Sequence, residues 1–310
     1  MKRVVVAATA SMMGCGSVSA PAVDAKLSDS PAVDGTNVDA PAAPRCDPTK
    51  PFSSPTILAN VNSATDDTTP FVTGDELQLW FASNRPGSQA MDIYMASRTS
   101  KTADFGTPAL AAGVNTAGFD TRPTLTADGL TIYIQYLAST TGLYKITSAT
   151  RSSTSVGFGT PAEVTTLSSS TNDDAPFVLP DHSAIYFLSN RTNNAFQIWR
   201  ATRSGGVFQT PVLADGVDIN AAGDDYPTLL PDDRTMYFLS SRTGTVGGND
   251  NWKVTRPTTV QAYGAATNVS ELNATDGYYI FSVTADDCVA YIAGPNGSNG
   301  TDLFVAKKPL

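Results

Sequence analysis

Four aspartates, Asp67, Asp120, Asp173 and Asp224, each stand three residues before a proline: Pro70, Pro123, Pro176 and Pro227. Carboxylates repeated at one register can encircle an axis, and hard oxygen ligands suit Ca²⁺ or a cationic group. Aspartates at such a spacing can equally cap their own loops through backbone N–H groups. A channel-mouth ion or ligand ring and a structural cap are therefore both open for the four residues. Arg85, Arg191 and Arg242 recur as well, and could bind a carboxylate or pair with the aspartate of a neighbouring repeat. Glycoside hydrolysis needs two carboxyl groups of different character, roughly 5 to 9.5 Å apart. Such residues should be singular rather than repeated, and the three glutamates, Glu76, Glu163 and Glu271, fall near turns or outer strands. The single histidine, His182, sits in a Pro-Asp-His-Ser turn and reads as an exposed loop residue. One histidine and three cysteines are too few for a Cys/His zinc site of ordinary composition. No catalytic residue is assigned.

The elements that carry these residues repeat about every 52 positions: DDTTPFVTGDELQLWFASNR, FDTRPTLTADGLTIYIQYLA, DDAPFVLPDHSAIYFLSNR and DDYPTLLPDDRTMYFLSSR. In each, a short apolar run, a turn of the Ala-Asp-Gly or Pro-Asp-Asp kind and an aromatic-centred run predict a β-hairpin. A fifth, degenerate copy, YYIFSVTADDCVAYIAG, has Phe281 in the proline's place. A third strand follows in every copy, centred on Tyr94, Tyr144, Trp199, Trp252 and Phe304. A fourth is announced by an aromatic at 105, 158, 208 and 263, leading in three copies to Asn115, Asp218 and Asn273. The last copy stops short of it, but FSSP at 52–55, followed by Asn62, supplies the missing strand from the other end of the chain. The expectation is an all-β, five-bladed β-propeller of four-stranded blades, closed by an N-terminal strand pairing with the C-terminal blade. The repeated aromatics read as inter-blade core rather than a carbohydrate platform.

The repeat resembles the TolB-type, WD-like β-propeller repeat of bacterial envelope proteins. The likeness rests on Pro70, Trp80-Phe81-Ala82-Ser83-Asn84-Arg85 and Asp92-Ile93-Tyr94 in the first copy, and on Pro176 and Tyr186-Phe187-Leu188-Ser189-Asn190-Arg191 in the third. The second copy lacks Ser-x-Arg, and the fifth lacks both the proline and the arginine. That repeat serves scaffolds, receptors and some hydrolases alike, so the resemblance implies a fold more than a function.

Lys2-Arg3, the apolar run Val4–Met13 and Gly14-Cys15 resemble a bacterial lipoprotein signal peptide. The run is too short to span a bilayer. Residues 1–14 are then the signal, Cys15 the acylated first residue and membrane anchor, 15–50 an Ala/Pro/Ser/Asp-rich tether and 51–310 the propeller. A secretory cut after Ala20 is the alternative. Gly16 after the cysteine implies an outer-membrane lipoprotein, periplasmic or surface-exposed. The net charge of −9 argues against nucleic acid. Cys46, six residues before the closing strand, is brought to the blade that carries Cys288, which predicts a disulfide in an oxidising compartment.

The function expected is a non-catalytic envelope lipoprotein, a monomer whose propeller binds a protein or ligand of the envelope. A glycan-binding or glycan-cleaving propeller is the alternative. No cofactor is expected beyond Ca²⁺ at the aspartates.

Overall fold

The computed structural model describes residues 43–310, apart from 139–140, 193, 217–218, 221–222, 247, 274–276 and 298–299. Cys15 and most of the expected tether lie outside the described residues. The compact unit begins at Pro44 rather than 51, because Cys46 is buried and Asp47 N–H donates to Pro309 O at 2.8 Å.

Five antiparallel sheets form the five blades of a propeller. Blade 1 comprises Asp67–Val72, Gln78–Ser83, Asp92–Ser97 and Ala109–Leu110. Blade 2 comprises Asp120–Leu125, Thr131–Ala138, Leu143–Thr150 and Ala162–Glu163. Blade 3 holds Asp173–Val178, Ala184–Ser189, Gln197–Ser204 and Val212–Leu213, with Val207–Phe208 as an extra ribbon on its third strand. Blade 4 holds Asp224–Leu229, Thr235–Ser240, Asp250–Thr255 and Thr267–Asn268. Blade 5 takes Tyr279–Val283, Val289–Pro295 and Thr301–Lys307 from the C-terminus and Thr56–Ile57 from the N-terminal end, with Thr56 opposite Val305 and Ile57 opposite Phe304.

The fourth strands are only two residues long. The aromatics expected to begin them instead precede them and are buried: Phe52, Phe105, Phe158, Phe208 and Tyr263. An asparagine then clamps each incoming loop to a third strand, as when Ile93 N–H donates to Asn115 Oδ1 and Leu303 N–H to Asn62 Oδ1. On blade 3 this residue is Asn220, which accepts from Ile198 N–H, whereas the expected Asp218 lies outside the described residues.

The innermost strands of blades 1 to 4 each contain a bulge just before or at the proline, a residue with no ladder N–H to lose. There Thr69, Arg122, Ala175 and Tyr226 hold φ near +50°, a region that costs a non-glycine residue energy and gathers at functional sites. The tyrosines of the second strands pin one blade to the next. Tyr186 O–H donates to Asp233 Oδ1 at 2.8 Å, Tyr237 O–H donates to Asp287 Oδ1 at 2.7 Å, and the Tyr133 hydroxyl meets His182 Nε2 at 2.7 Å. His182 is thus not an exposed loop residue. It is wedged against Tyr133 and Phe208, and burial pushes its pKa down. Between blades 5 and 1, Arg98 donates to Tyr291 Oη at 3.2 Å and lies 3.7 Å from the buried Glu76 carboxylate.

Candidate functional site: the central channel

The four aspartates do not ring the channel mouth. Asp67, Asp120, Asp173 and Asp224 are fully buried inside their blades. Asp173 accepts from Ser169 N–H, Ser189 Oγ and, at 2.7 Å, Arg191 Nη2. Asp224 takes Arg242 at 2.8 Å, and Asp67 takes Arg85. Each arginine therefore pairs within its own blade rather than across a seam, while lying over that blade's aromatics, as Arg191 lies over Phe187 and Trp199. Among the described residues no three His, Cys, Asp or Glu side chains converge as metal ligands would.

The groups that do converge come from positions where the repeat breaks. At the bulge of blade 2, Arg122 replaces the small Thr69 and Ala175 of its neighbours, and its side chain reaches across the axis. Its guanidinium carbon stands 3.4 Å from the centroid of Tyr226 on blade 4 and 5.4 Å from that of Phe281 on blade 5. A cation this close to an aromatic face is held by the ring quadrupole. One residue before the bulge, blades 3 and 4 carry Asp174 and Asp225, where blades 1 and 2 have Thr68 and Thr121. Asp174 is buried, and its Oδ1 has no hydrogen-bond partner. Burial, only partly offset by Arg122 and aided by the Asp225 charge, pushes Asp174 up to about 7. Asp225 is pushed up to about 6, by burial first, with Arg122 again opposing. Arg122, Tyr226 and Phe281, with the prolines, Phe71 and Phe177, line a cavity of about 30 Å³. That is room for a water or two, not for a sugar ring.

The raised carboxyl of Asp174 has a measurable consequence. The folded protein holds this proton to near neutral pH, whereas an unfolded aspartate loses it near 3.9. Its favourable contribution is therefore full below pH 4 and is lost as pH rises through about 7. Asp174→Asn should be close to neutral in stability at pH 4 and more stable than the parent at pH 8, by on the order of 2–4 kcal/mol. Urea unfolding at both pH values measures this. An Asn variant whose stability tracks the parent at both would show that the carboxyl is ionised normally.

Sequence reasoning missed Arg122, Asp174 and Asp225 because it followed what repeats. Subtracting the repeat would have exposed them, since they are the charged residues at inner-strand positions that other blades fill with Thr, Ala or an aromatic.

Fold and channel together define a five-bladed β-propeller whose axis is filled by its own side chains. No protein-family model matches the chain, and no curated protein does. Solved structures match in fold. A thermostable family-43 glycoside hydrolase aligns with 81% of this chain and 91% of its own length, at 15% identity and a TM-score of 0.55. A protein of Agrobacterium tumefaciens assigned to TolB aligns with 84% of this chain and 91% of its own, at 16% identity and a TM-score of 0.50. TolB from Acinetobacter baumannii aligns with 79% of this chain, at 16% identity and a TM-score of 0.49, and the chain spans 55% of its length. At such identities the likeness is one of fold. The propeller expectation and the TolB-like repeat agree with it, while hydrolase propellers share the same architecture.

Proposed function

We propose that this protein is a non-catalytic lipoprotein of the bacterial cell envelope, anchored through acyl groups on Cys15, whose propeller is a binding scaffold for another envelope component. The observation that carries the reading is Arg122 laid on Tyr226 across the axis. Among the described residues, the point where the inner-strand bulges of all five blades meet is occupied by the protein itself, which leaves the rims and blade edges as the surfaces for a partner. Among the described residues no helix is long and apolar enough to cross a membrane, so the acyl chains on Cys15 provide the attachment in this reading. Two or more chains anchor stably where one binds marginally. Cys15→Ala should move the protein from the membrane to the soluble fraction, and reversible crosslinking in membranes should capture a defined partner with the parent. A mature chain that begins after Ala20 without a lipid adduct, or parent and variant that fractionate alike, would overturn the anchor.

A second reading, glycan cleavage, is favoured by one observation: Asp174 and Asp225 are two carboxyls on adjacent inner strands, both pushed up by burial. In that reading protonated Asp174 is the acid and Asp225 the base or nucleophile, once Arg122 swings aside. The scaffold reading expects no products from an oligosaccharide panel with either the parent or Arg122→Ala. Products that disappear in both Asp174→Asn and Asp225→Asn would establish the second.

A further inference from the structure

We propose that the seam between blades 1 and 2, away from the channel, binds one Ca²⁺ ion through Asp92 and Asp120, in the place that a lysine ammonium fills at the next seam. The argument is an internal comparison. At the seam between blades 2 and 3, Lys145 points its ammonium into the loop that opens blade 3. It donates to Ser169 O at 2.6 Å, Thr171 O at 2.7 Å and Asp173 Oδ2 at 3.2 Å. This is a tethered cation inside a cage of one carboxylate and two carbonyls.

The loop that opens blade 2 is built alike. Thr116 N–H donates to Asp120 Oδ2 at 2.6 Å, as Ser169 N–H does to Asp173 Oδ2. The carbonyls corresponding to those of Ser169 and Thr171 belong to Thr116 and Gly118, 53 positions earlier in each case. Asp120 N–H also donates to Met91 O at 2.8 Å, which sets this loop beside Asp92.

The cation is what differs. In register, Lys145 lies opposite Tyr136 as Asp92 lies opposite Ser83, so the lysine's place on blade 1 is taken by a second carboxylate. Asp120 keeps the Thr116 hydroxyl, which donates to Oδ2 at 2.9 Å, but its Oδ1 has lost the partners that Asp173 has. Asp173 Oδ1 accepts from Ser189 and Arg191, but the residue opposite Asp120 is Tyr136, and the arginine's place is Ala138.

The result is two carboxylates half satisfied in the same way. Asp92 Oδ2 accepts from Gln89 N–H at 3.0 Å and Asp120 Oδ2 from Thr116, while Oδ1 of each is buried without a hydrogen-bond partner. Asp92 is 2% exposed and Asp120 0%. Buried like charges of this kind are costly unless a cation joins them. Two carboxylates with flanking carbonyls make a hard, all-oxygen set of the sort Ca²⁺ takes.

Calorimetric titration of chelator-treated full-length protein with CaCl₂ tests the site, with melting curves in Ca²⁺, Mg²⁺ and Na⁺ alongside. One equivalent of Ca²⁺ should bind and raise the melting temperature by several degrees. Asp120→Asn should weaken binding at least tenfold. Since that variant could fold poorly, Asp92→Lys is the decisive partner. It installs the lysine of the next seam, and should abolish Ca²⁺ binding while melting in chelator at or above the parent's temperature. No binding by the parent at millimolar Ca²⁺, equal stabilisation by Na⁺, or undiminished binding by Asp92→Lys would overturn the proposal; the first would leave a shared proton as what joins the two carboxyls.

Discussion

A chain that begins at Ser63 is expected not to fold, whereas one that begins at Pro44 is expected to melt as a single cooperative unit. The missing residues contribute little ladder, since Thr56 and Ile57 pair only with Val305 and Phe304. They nonetheless carry Phe52 and Val61, both buried. Phe52 packs edge-on against Tyr237 of blade 4, and its N–H donates to Glu271. Val61 belongs to the apolar cluster with Leu79, Phe81, Tyr291 and Leu303 that joins blade 5 to blade 1. Asn62 clamps that joint by accepting from Leu303 N–H at 2.8 Å and donating to Leu303 O at 3.0 Å. Truncation therefore removes parts of two seams at once and uncovers the edge of Thr301–Lys307. Fully burying one large apolar side chain is worth about 1.5–3 kcal/mol. Phe52 and Val61 with the lost clamps thus approach the whole stability of an ordinary domain, about 5–15 kcal/mol. The exposed edge also invites pairing with other chains. Circular dichroism melts and size-exclusion profiles of the two chains decide the matter. A cooperative transition for the Ser63 chain at the same midpoint would mean that the ring does not depend on its N-terminal closure.

The closure was legible because it is an accounting matter. Five hairpins and five third strands stood against four following fourth strands, and FSSP at 52–55 completed the set. The aromatic register was legible for a similar reason, since a residue type that returns in every blade must serve something every blade needs. The same logic misled where repetition was taken as a hint of chemistry. Asp67, Asp173 and Asp224 return because blades 1, 3 and 4 each need a buried acceptor for their own Ser-x-Arg, and a sequence does not show whether such a pair forms within a blade or across a seam. His182 looked exposed because its turn is polar. Its left-handed φ of 61° lies at the register of Asp233 and Asp287, and all three reach back to a tyrosine of the preceding blade. The channel was least legible. That Arg122 crosses from blade 2 to blades 4 and 5 depends on how tightly five blades close around the axis, which no local pattern encodes.

Replacing both Cys46 and Cys288 by alanine is expected to leave the fold intact but to lower its stability by about 2–4 kcal/mol. The two residues form the predicted bridge, with Cα atoms 5.7 Å apart and 242 positions between them in the chain. For a loop of that length the chain-entropy relation gives about 5 kcal/mol as an upper figure. The smaller value follows because the ends are also held without the bond. Arg45 pairs with Glu76 and Asp286, Asp47 N–H donates to Pro309 O, and Lys308 Nζ donates to Pro48 O at 2.9 Å. The loss should fall on one kinetic limb. Folding must bring Thr56 to Val305 across 249 positions, and without the bridge that loop-closure entropy has to be met before any contact of blade 5 with its fourth strand rewards it. The native contacts at the seam survive the substitution, so unfolding should change little. Thiol counting on denatured, unreduced protein should find neither Cys46 nor Cys288 free. Stopped-flow refolding should then show the double variant folding at least tenfold more slowly, with an unfolding limb close to the parent's. A variant that refolds at the parent's rate and only unfolds faster would show that the bridge works by holding the native seam rather than by shortening the search for it.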